Sequence, residues 1–429
     1  MSAPAATRLA ETPPAVSVVV PSYNRRASLE MVLRGLAAQQ GLRPGEMETL
    51  VVLDGSTDGS DAMLAGWVAD GRLPGLRWEL RPNGGQAAAR DAGARAAAAP
   101  VLAFLDDDVV PEPGCVARHL LHHAGGSRVT VLGDCEIVRA AEDPPFYRQF
   151  VWGWWEELYT SRVRPGRRPV YTDFCAGNVS VRRDDYLASG GFDPAFRGYG
   201  GEDYDLGYRL LKLGVRFVPD RRSRAMHHHR FGGYEALLRA RRQEGVADVV
   251  MGRKHPELRA GLRLAHPHAF GGTHGPAVRR AFETDAPNPD AVRAAVRRLA
   301  RADRLGRRTR WLDEFYRITH AAYWRGVADT LGSWEALLAF RAEAAVPVQH
   351  VDVGHGPPAL PDDFWVHGPS ELRVSARGEP VGVARLAGPV TKPLAEAVAD
   401  VVAYWLATPF LLWAERAHAP LAPDLERTH

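Results

Sequence analysis

The sequence predicts an α/β fold with a largely parallel sheet, and three observations carry that prediction. Short β-branched apolar runs recur through the first half of the chain, and each ends in a polar turn followed by a stretch of helical periodicity. The third observation is Val101 to Val110, VLAFLDDDVV, where an apolar strand delivers three carboxylates, Asp106, Asp107 and Asp108, before Pro111 and Pro113 break the structure. An unpaired carboxylate costs several kcal/mol to bury, so three at a strand end face water, a cation or both. In an open α/β sheet that end is where ligands bind. An acidic surface turn shares this composition and is the plain alternative.

The elements follow in order. Val16 to Val20 is a β-branched strand closed by Pro21, and the turn Ser22-Tyr23-Asn24-Arg25-Arg26 leads into an amphipathic helix from Ala27 to Gln39. Thr49 to Leu53 repeats the pattern and ends in DGSTDGS, Asp54 to Ser60, whose Asp and Ser side chains suit a helix cap from Asp61 onward. A weaker strand, Leu76 to Leu80, turns at Asn83-Gly84-Gly85 into an Ala-rich helix, Gln86 to Ala99, that feeds the central strand. Right-handed crossovers between parallel strands bring the loops at Tyr23, Asp54 and Asp106 to one sheet edge. Together they offer an aromatic ring, a lone carboxylate and a carboxylate cluster able to hold Mg²⁺ or Mn²⁺. A nucleoside diphosphate needs such parts. Asp54 has its own reading as a helix cap.

Beyond Val129 to Val138, a further strand, lies FYRQFVWGWWEELY, Phe146 to Tyr159. Its Trp154 and Trp155 beside Glu156 and Glu157 suit either a core or a carbohydrate, whose C–H faces stack on aromatic rings. Phe174 to Val181 reads as a strand in which Gly177 permits close backbone approach and Asn178 interrupts the alternation. GYGGEDYDLGYRLL, Gly198 to Leu211, starts a helix at Glu202 and Asp203. Those acids either complement the helix dipole or act as acceptor clamp and general base at a site edge. Val215 to Val218 is a strand, and His227-His228-His229 follows, which reads either as polar surface or as the source of one imidazole that completes a metal shell.

Composition sets wider bounds. A chain of 429 residues is long for one core, and 45% hydrophobic with 24% charged residues is ordinary for a globular protein. The net charge of +3 gives no sign of nucleic-acid binding, and the basic run Arg293 to Arg310 reads as a solvated helix face. Residues 1–14 lack the pattern of a signal peptide and are expected to be a disordered tail. The apolar run Val401 to Trp413, interrupted by Pro409, is too short for a span of about 20 residues and is expected to bury against the rest of the chain. Three cysteines, Cys115, Cys135 and Cys175, without metal spacing imply a reduced, cytoplasmic setting.

From Phe231 the alternation stops. Tyr234 to Lys254 and Asp290 to Ala345 look helical, Leu372 to Leu386 reads as a hairpin about Gly378-Glu379, and a helix from Pro393 to Trp413 is expected to cover it. The expected division is a tail (1–14), an α/β domain (15–230), a helical region (231–345) and a small α+β module (346–429), the last two serving acceptor recognition, packing or oligomerisation.

Six segments in one order resemble the family 2 glycosyltransferases of the GT-A fold: VSVVVPSYNR (16–25), VVLDGSTDGS (51–60), GGQAAARDAG (84–93), FLDDD (104–108), AGNVSVRR (176–183) and GFDPAF with GGEDYDLGYRL (191–210). The resemblance covers roughly the first 230 residues. It implies that Pro21 and Tyr23 border the base, that Asp54 accepts from uracil, and that Arg90 helps hold the phosphates, with Asp91 where the family usually has Asn. It implies that Asp106 and Asp108 form the DxD element, Asp107 shares ribose contacts, and His227, with His229 as fallback, completes the shell of Mn²⁺ or Mg²⁺. Gly177, Asn178 and Gly201 are expected at the donor sugar, Glu202, Trp154 and Trp155 at the acceptor, and Asp203 as the inverting base.

The function expected from this is metal-dependent, inverting transfer of a sugar from a nucleotide sugar, with UDP favoured, to a hydroxyl of a natural product, peptide or glycan, by a cytoplasmic enzyme without a membrane span and with a homo-oligomer possible. A non-catalytic sugar-nucleotide or carbohydrate-binding protein on the same fold is the alternative; it has no need of Asp203. Nucleotidyl transfer, which releases pyrophosphate, is a third.

Overall fold

A computed structural model describes residues 13–138, 144–162, 169–229, 231–265, 274–284, 289–342, 348–352 and 370–386. Most of the expected N-terminal tail and the expected helix Pro393 to Trp413 lie outside the described residues. The strands are β1 (Val16–Ser22), β2 (Met47–Asp54), β3 (Leu76–Arg81), β4 (Val101–Leu105), β5 (Val109–Pro111), β6 (Val129–Ile137), β7 (Asn178–Arg182), β8 (Arg216–His227), β9 (Val348–Asp352), β10 (Ser370–Ala376) and β11 (Glu379–Leu386). The helices are α1 (Arg26–Ala37), α2 (Ser60–Ala69), α3 (Gln86–Ala96), α4 (Cys115–His123), α5 (Pro145–Arg162), α6 (Arg183–Ala188), α7 (Glu202–Lys212), α8 (Tyr234–Lys254), α9 (His274–Glu283), α10 (Pro289–Arg304), α11 (Arg308–Leu331) and α12 (Trp334–Ala342). The described residues fall into two compact units, the first within Met1–Pro165, Pro169–Ala247 and Ala286–Gly326, the second within Asp248–Asp285 and Val327–His429. The helical stretch expected over 231–345 is therefore divided between them.

The first unit holds the α/β sheet together with helical segments from 231–247 and 286–326. Its eight-stranded sheet has the order β3-β2-β1-β4-β7-β6-β8-β5. Strands β3, β2, β1 and β4 are parallel, as their intervening helices require. The other half is mixed. β7 runs antiparallel between β4 and β6, and β5 antiparallel to β8. The reason is the direction of entry: the chain returns to the sheet at the edge where β4 ends, so Asn178, the first residue of β7, pairs with Leu105, the last of β4. The strand expected from Phe174 starts only there, and Tyr171–Asp173 is a single 3₁₀ turn.

β8 is longer than its apolar run suggested. Its last residue, His227, pairs with Val109 immediately after the carboxylate cluster. A run rich in Arg and His lacks strand periodicity, and it is pairing with β6 across a register shift at Gly133/Asp134 that keeps it extended.

β1 explains how the domain closes. Val16, Val18 and Val20 join Leu29, Val32, Leu33 and Leu36 of α1 in one buried cluster with Val51, Leu53, Val101 and Leu105. Burial of each such side chain contributes about 1.5–3 kcal/mol. On the opposite face Val19 meets α3 at Gly93, where a Cβ would lie 2.5 Å from Val19 Cγ1 and 3.2 Å from Val52 Cγ2. Gly93→Ala is expected to lower the melting temperature, with overpacking of about 1–3 kcal/mol outweighing the helix-propensity gain of about 1 kcal/mol; a melt at or above that of the parent chain would show that β1 yields to α3.

In the same unit an aromatic cluster of Tyr147, Tyr234, Trp311 and Phe315 packs with Leu299 and Ile318, and the Trp311 indole donates to Tyr234 Oη at 3.0 Å. In the second unit β10 and β11 form the expected hairpin, turned one residue earlier than expected. Arg377 and Gly378, at φ 54° and 81°, make a turn that needs two left-handed residues, and Asp352 accepts both their N–H groups. β9, which no apolar alternation marked, pairs parallel with β10. Among the described residues no helix is long and apolar enough to cross a membrane.

Candidate active site

The loops after β1, β2 and β4 meet at one edge of the sheet, as right-handed connection predicts. Ser22, closing β1, donates from Oγ to Asp107 Oδ2 at 2.7 Å. Asn24 donates its N–H to Ser56 Oγ at 3.0 Å and accepts from Thr57 N at 2.7 Å. Pro21 is buried within β1, whereas Tyr23 is 52% exposed beside the cluster.

Asp54 is not a helix cap. Its Oδ1 accepts from Gly84 N at 2.8 Å and its Oδ2 from Gly85 N at 2.9 Å, so this buried carboxylate fixes the turn that starts α3. α2 begins after Gly59 without a side-chain cap, while Asp58 just before that glycine accepts from Ser60 N and Oγ and from Arg26 N.

The three consecutive aspartates diverge. Asp106, whose N–H bonds Gly177 O, accepts from Arg90 Nη2 at 2.6 Å and Gln86 Nε2 at 3.2 Å. A Cβ at Gly177 would lie 3.2 Å from Asp106 Oδ2, a tight contact. Asp107 and Asp108 share Arg25, whose Nη1 lies 3.5 Å from Asp107 Oδ1 and forms a close ion pair with Asp108 Oδ2. His227 Nε2 stands 3.5 Å from Asp108 Oδ1, and the Asp108 carbonyl accepts from His228 N at 2.8 Å. Burial, with Asp108 and Asp106 close by, pushes Asp107 up to about 7. Burial also raises Asp108, but His227 and Arg25 reverse it and hold the carboxyl at about 2.

The second group of acids sits at the first turn of α7. Asp203 Oδ2 accepts from Ala176 N at 3.0 Å, while Arg90 Nη1 lies 3.5 Å from Asp203 Oδ1 and 3.2 Å from Glu202 Oε1. Burial, reinforced by Glu202 and Asp106, raises Asp203 to about 7 against the pull of Arg90, and burial raises Glu202 as well. Glu202 Oε2 is buried without a hydrogen-bond partner.

The expected site residues have the following surroundings. Among the described residues no group of three or more His, Cys, Asp or Glu side chains is arranged to hold a metal, so Asp106, Asp108 and His227 are not gathered as a set. Asp106 is taken by Arg90 and Gln86, and the pair that faces one another is Asp108 and His227. His229 instead has Tyr147 Oη at 3.3 Å from its Nε2. Arg90, expected at the phosphates, is 1% exposed and turned onto three carboxylates. Asn178 is not presented to a sugar: its amide donates to Asp134 O and Ser223 O and accepts from His119 Nε2. Gly201, at φ 91°, is demanded by packing, since a Cβ would meet Ala247 at 2.8 Å and Phe196 at 2.9 Å. Asp91, where Asn was usual, accepts from Tyr186 Oη at 2.8 Å and Arg95 Nε at 2.7 Å. The side chains of Trp154 and Trp155, on α5, lie outside the described residues.

Arg25 was the residue the sequence reading passed over. The signal was available: a cation directly after the first strand's turn, in a loop that converges on three carboxylates. Among the described residues, five carboxylates face two guanidinium groups here. Full ionisation leaves an excess of negative charge that invites a further cation. The ionised Asp108 and the His227 imidazole are a donor pair suited to Mn²⁺ or Mg²⁺, although Mg²⁺ prefers oxygen ligands.

Comparison with known proteins adds the following. Residues 17–188 match the family model described as glycosyl transferase family 2, and residues 157–230 that described as the N-terminal domain of galactosyltransferase. The chain is 33% identical over 273 residues to the validoxylamine A glucosyltransferase of Streptomyces hygroscopicus subsp. limoneus, covering 57% of this chain and 58% of that protein. It is 33% identical over 273 residues to the protein of the same name from Streptomyces hygroscopicus subsp. jinggangensis (strain 5008), covering 57% of this chain and 62% of the relative. The chain thus spans about three fifths of these relatives' length. A solved structure, the mannosyltransferase PcManGT from Pyrobaculum calidifontis in complex with GDP-Man and Mn²⁺, aligns with TM-score 0.49 and 20% identity over 72% of this chain and 87% of that one.

Proposed function

We propose that this chain, which carries a family 2 glycosyltransferase domain over residues 17–188, transfers a sugar from a nucleotide sugar to an acceptor hydroxyl with inversion. The observation that carries the reading is Asp203, a carboxylate raised to about 7 at a helix start, on the sheet edge that also bears Asp106, Asp107 and Asp108. An acceptor hydroxyl is a poor nucleophile near neutral pH. A base of pKa close to the working pH takes its proton as the oxygen attacks the anomeric carbon. Attack from the face opposite the leaving diphosphate inverts the configuration. Glu202, beside the base on the first turn of α7, is the acid we assign to the acceptor.

A divalent cation held by Asp108 and His227 would neutralise the charge that gathers on the departing diphosphate. Tyr23, exposed at the same edge, offers a ring to the base. The shared name of the two relatives favours glucose as the transferred sugar, and UDP is the nucleotide we favour. The acceptor class stays as broad as natural product, peptide or glycan.

Calorimetric titration with UDP, GDP, UDP-glucose and GDP-glucose, in Mn²⁺ and after chelation, tests the donor side. Binding of one nucleotide family that vanishes on chelation is expected; no binding of any would sink the reading. Release of nucleoside diphosphate rather than pyrophosphate then separates glycosyl from nucleotidyl transfer.

Arg25 lies where such a cation would sit and is half exposed, so it competes for Asp107 and Asp108. Arg25→Ala is expected to tighten Mn²⁺ binding to the nucleotide-free protein by about two- to five-fold, the worth of a partly exposed ion pair. Weaker binding would show that Arg25 assists the cation instead.

A further inference from the structure

Arg25 is half exposed, whereas Arg90 is buried. It rises from the middle of α3, is 1% exposed, and its guanidinium carbon lies 5.4 Å from the centre of the Phe192 ring. Its Nη2 bonds Asp106 at 2.6 Å, while Nη1 reaches Glu202 at 3.2 Å and Asp203 at 3.5 Å. Its Nε is buried without a partner. A guanidinium serving phosphate would keep an outward edge for bidentate contact. Arg90 has spent both Nη groups on carboxylates that come from two different elements, the end of β4 and the start of α7.

We propose that Arg90 is a positioning residue for the base: its single guanidinium ties Asp203 and Glu202 to Asp106, so that the acceptor-side acids and the donor-side loop are held in one ion network. The proposal rests on Asp203 being the base, but its physical content does not require turnover. The charged groups facing Asp203 are Glu202 on its own helix, Asp106 from the β4 loop and Arg90 from α3, with the Ala176 N–H as a further donor. Two of these repel the carboxylate, and Arg90 is the one cation among them. Without it three carboxylates crowd together uncompensated, and one takes up a proton.

The test is a carbon-13 NMR titration of the full chain labelled at the aspartate side-chain carboxyl carbon, without nucleotide or metal. Loss of a resonance in Asp203→Asn assigns the signal. Arg90→Gln is expected to move the Asp203 midpoint up by at least one pH unit, and Arg90→Lys by less. Asp106→Asn is expected to move it down, since it removes a repelling charge and frees Arg90 for Asp203. That variant keeps the proposal open to refutation should Arg90→Gln fail to fold. A midpoint unmoved by either substitution would overturn it. If the donor titration finds a substrate, Arg90→Lys should shift the acid limb of kcat to higher pH with little change in the donor KM, whereas a merely structural role would depress kcat equally at every pH. A moved midpoint in a protein that binds no nucleotide would sustain the ion network while refuting the transferase reading.

Discussion

Asp203→Asn is expected to lower kcat by about 10²- to 10⁴-fold, the usual contribution of a positioned general base, while nucleotide-sugar binding stays within a factor of about two. The substitution preserves shape, and an amide oxygen can still accept from Ala176 N. It removes the ability to take a proton from the acceptor hydroxyl and, with it, one of the three carboxylates that face Arg90. Stability separates this from a structural defect. Burial raises the carboxyl from its ordinary value of 3.8 to about 7 in the folded chain. The folded state therefore binds its proton more tightly, and ionisation costs stability progressively as pH rises from about 4 through about 7. Asp203→Asn escapes that cost, so its melting temperature should exceed that of the parent chain at pH 8, with the difference closing towards pH 4. An inactive variant that is also less stable at pH 8 would mean that Asp203 serves the fold. Turnover that survives would move the base elsewhere, and Glu202, one residue away, would be the next candidate.

The second large effect is expected at Asp108. Asp108→Ala should weaken cation binding on the order of 100-fold or more and abolish the cation-dependent part of nucleotide binding, which calorimetry reads directly. Chelation of the parent chain should reproduce the loss. Asp108 is held at about 2, so it is ionised at every pH of interest and needs no proton release before taking a cation. Asp106→Ala offers the contrast. Because Asp106 is bound by Arg90 and Gln86, its removal should cost far less cation affinity than loss of Asp108. Equal losses would restore Asp106 to the metal shell that the sequence pattern first suggested.

Much of this was legible before any coordinates. The apolar runs at Val16, Thr49 and Val101 bury as strands because β-branched residues between helical stretches have no other packed solution, and their turns therefore share one edge. The placement of Glu202 and Asp203 at a helix start followed from the glycines before them and the leucine spacing after. These are local facts, set within a few residues of where they act.

The sequence by itself determined the parallel half of the sheet and the edge at which the loops carrying Asp54 and Asp106 to Asp108 converge. Only the tertiary structure decided how those acids are shared. Asp106 and Asp108 are two residues apart and look equivalent, yet one faces Arg90 and the other faces Arg25 and His227. Arg90 reads as a phosphate ligand until α3 and α7 bring it against Asp203, 113 residues away. Asn178 reads as a sugar contact until β6, α4 and β8 claim its amide. Side-chain partnership across such distances is fixed by which elements pack together, and hydrogen-bond geometry tolerates shifts of only a few tenths of an ångström. The pattern of residue types along the chain fixes which elements form, but not contacts at that precision.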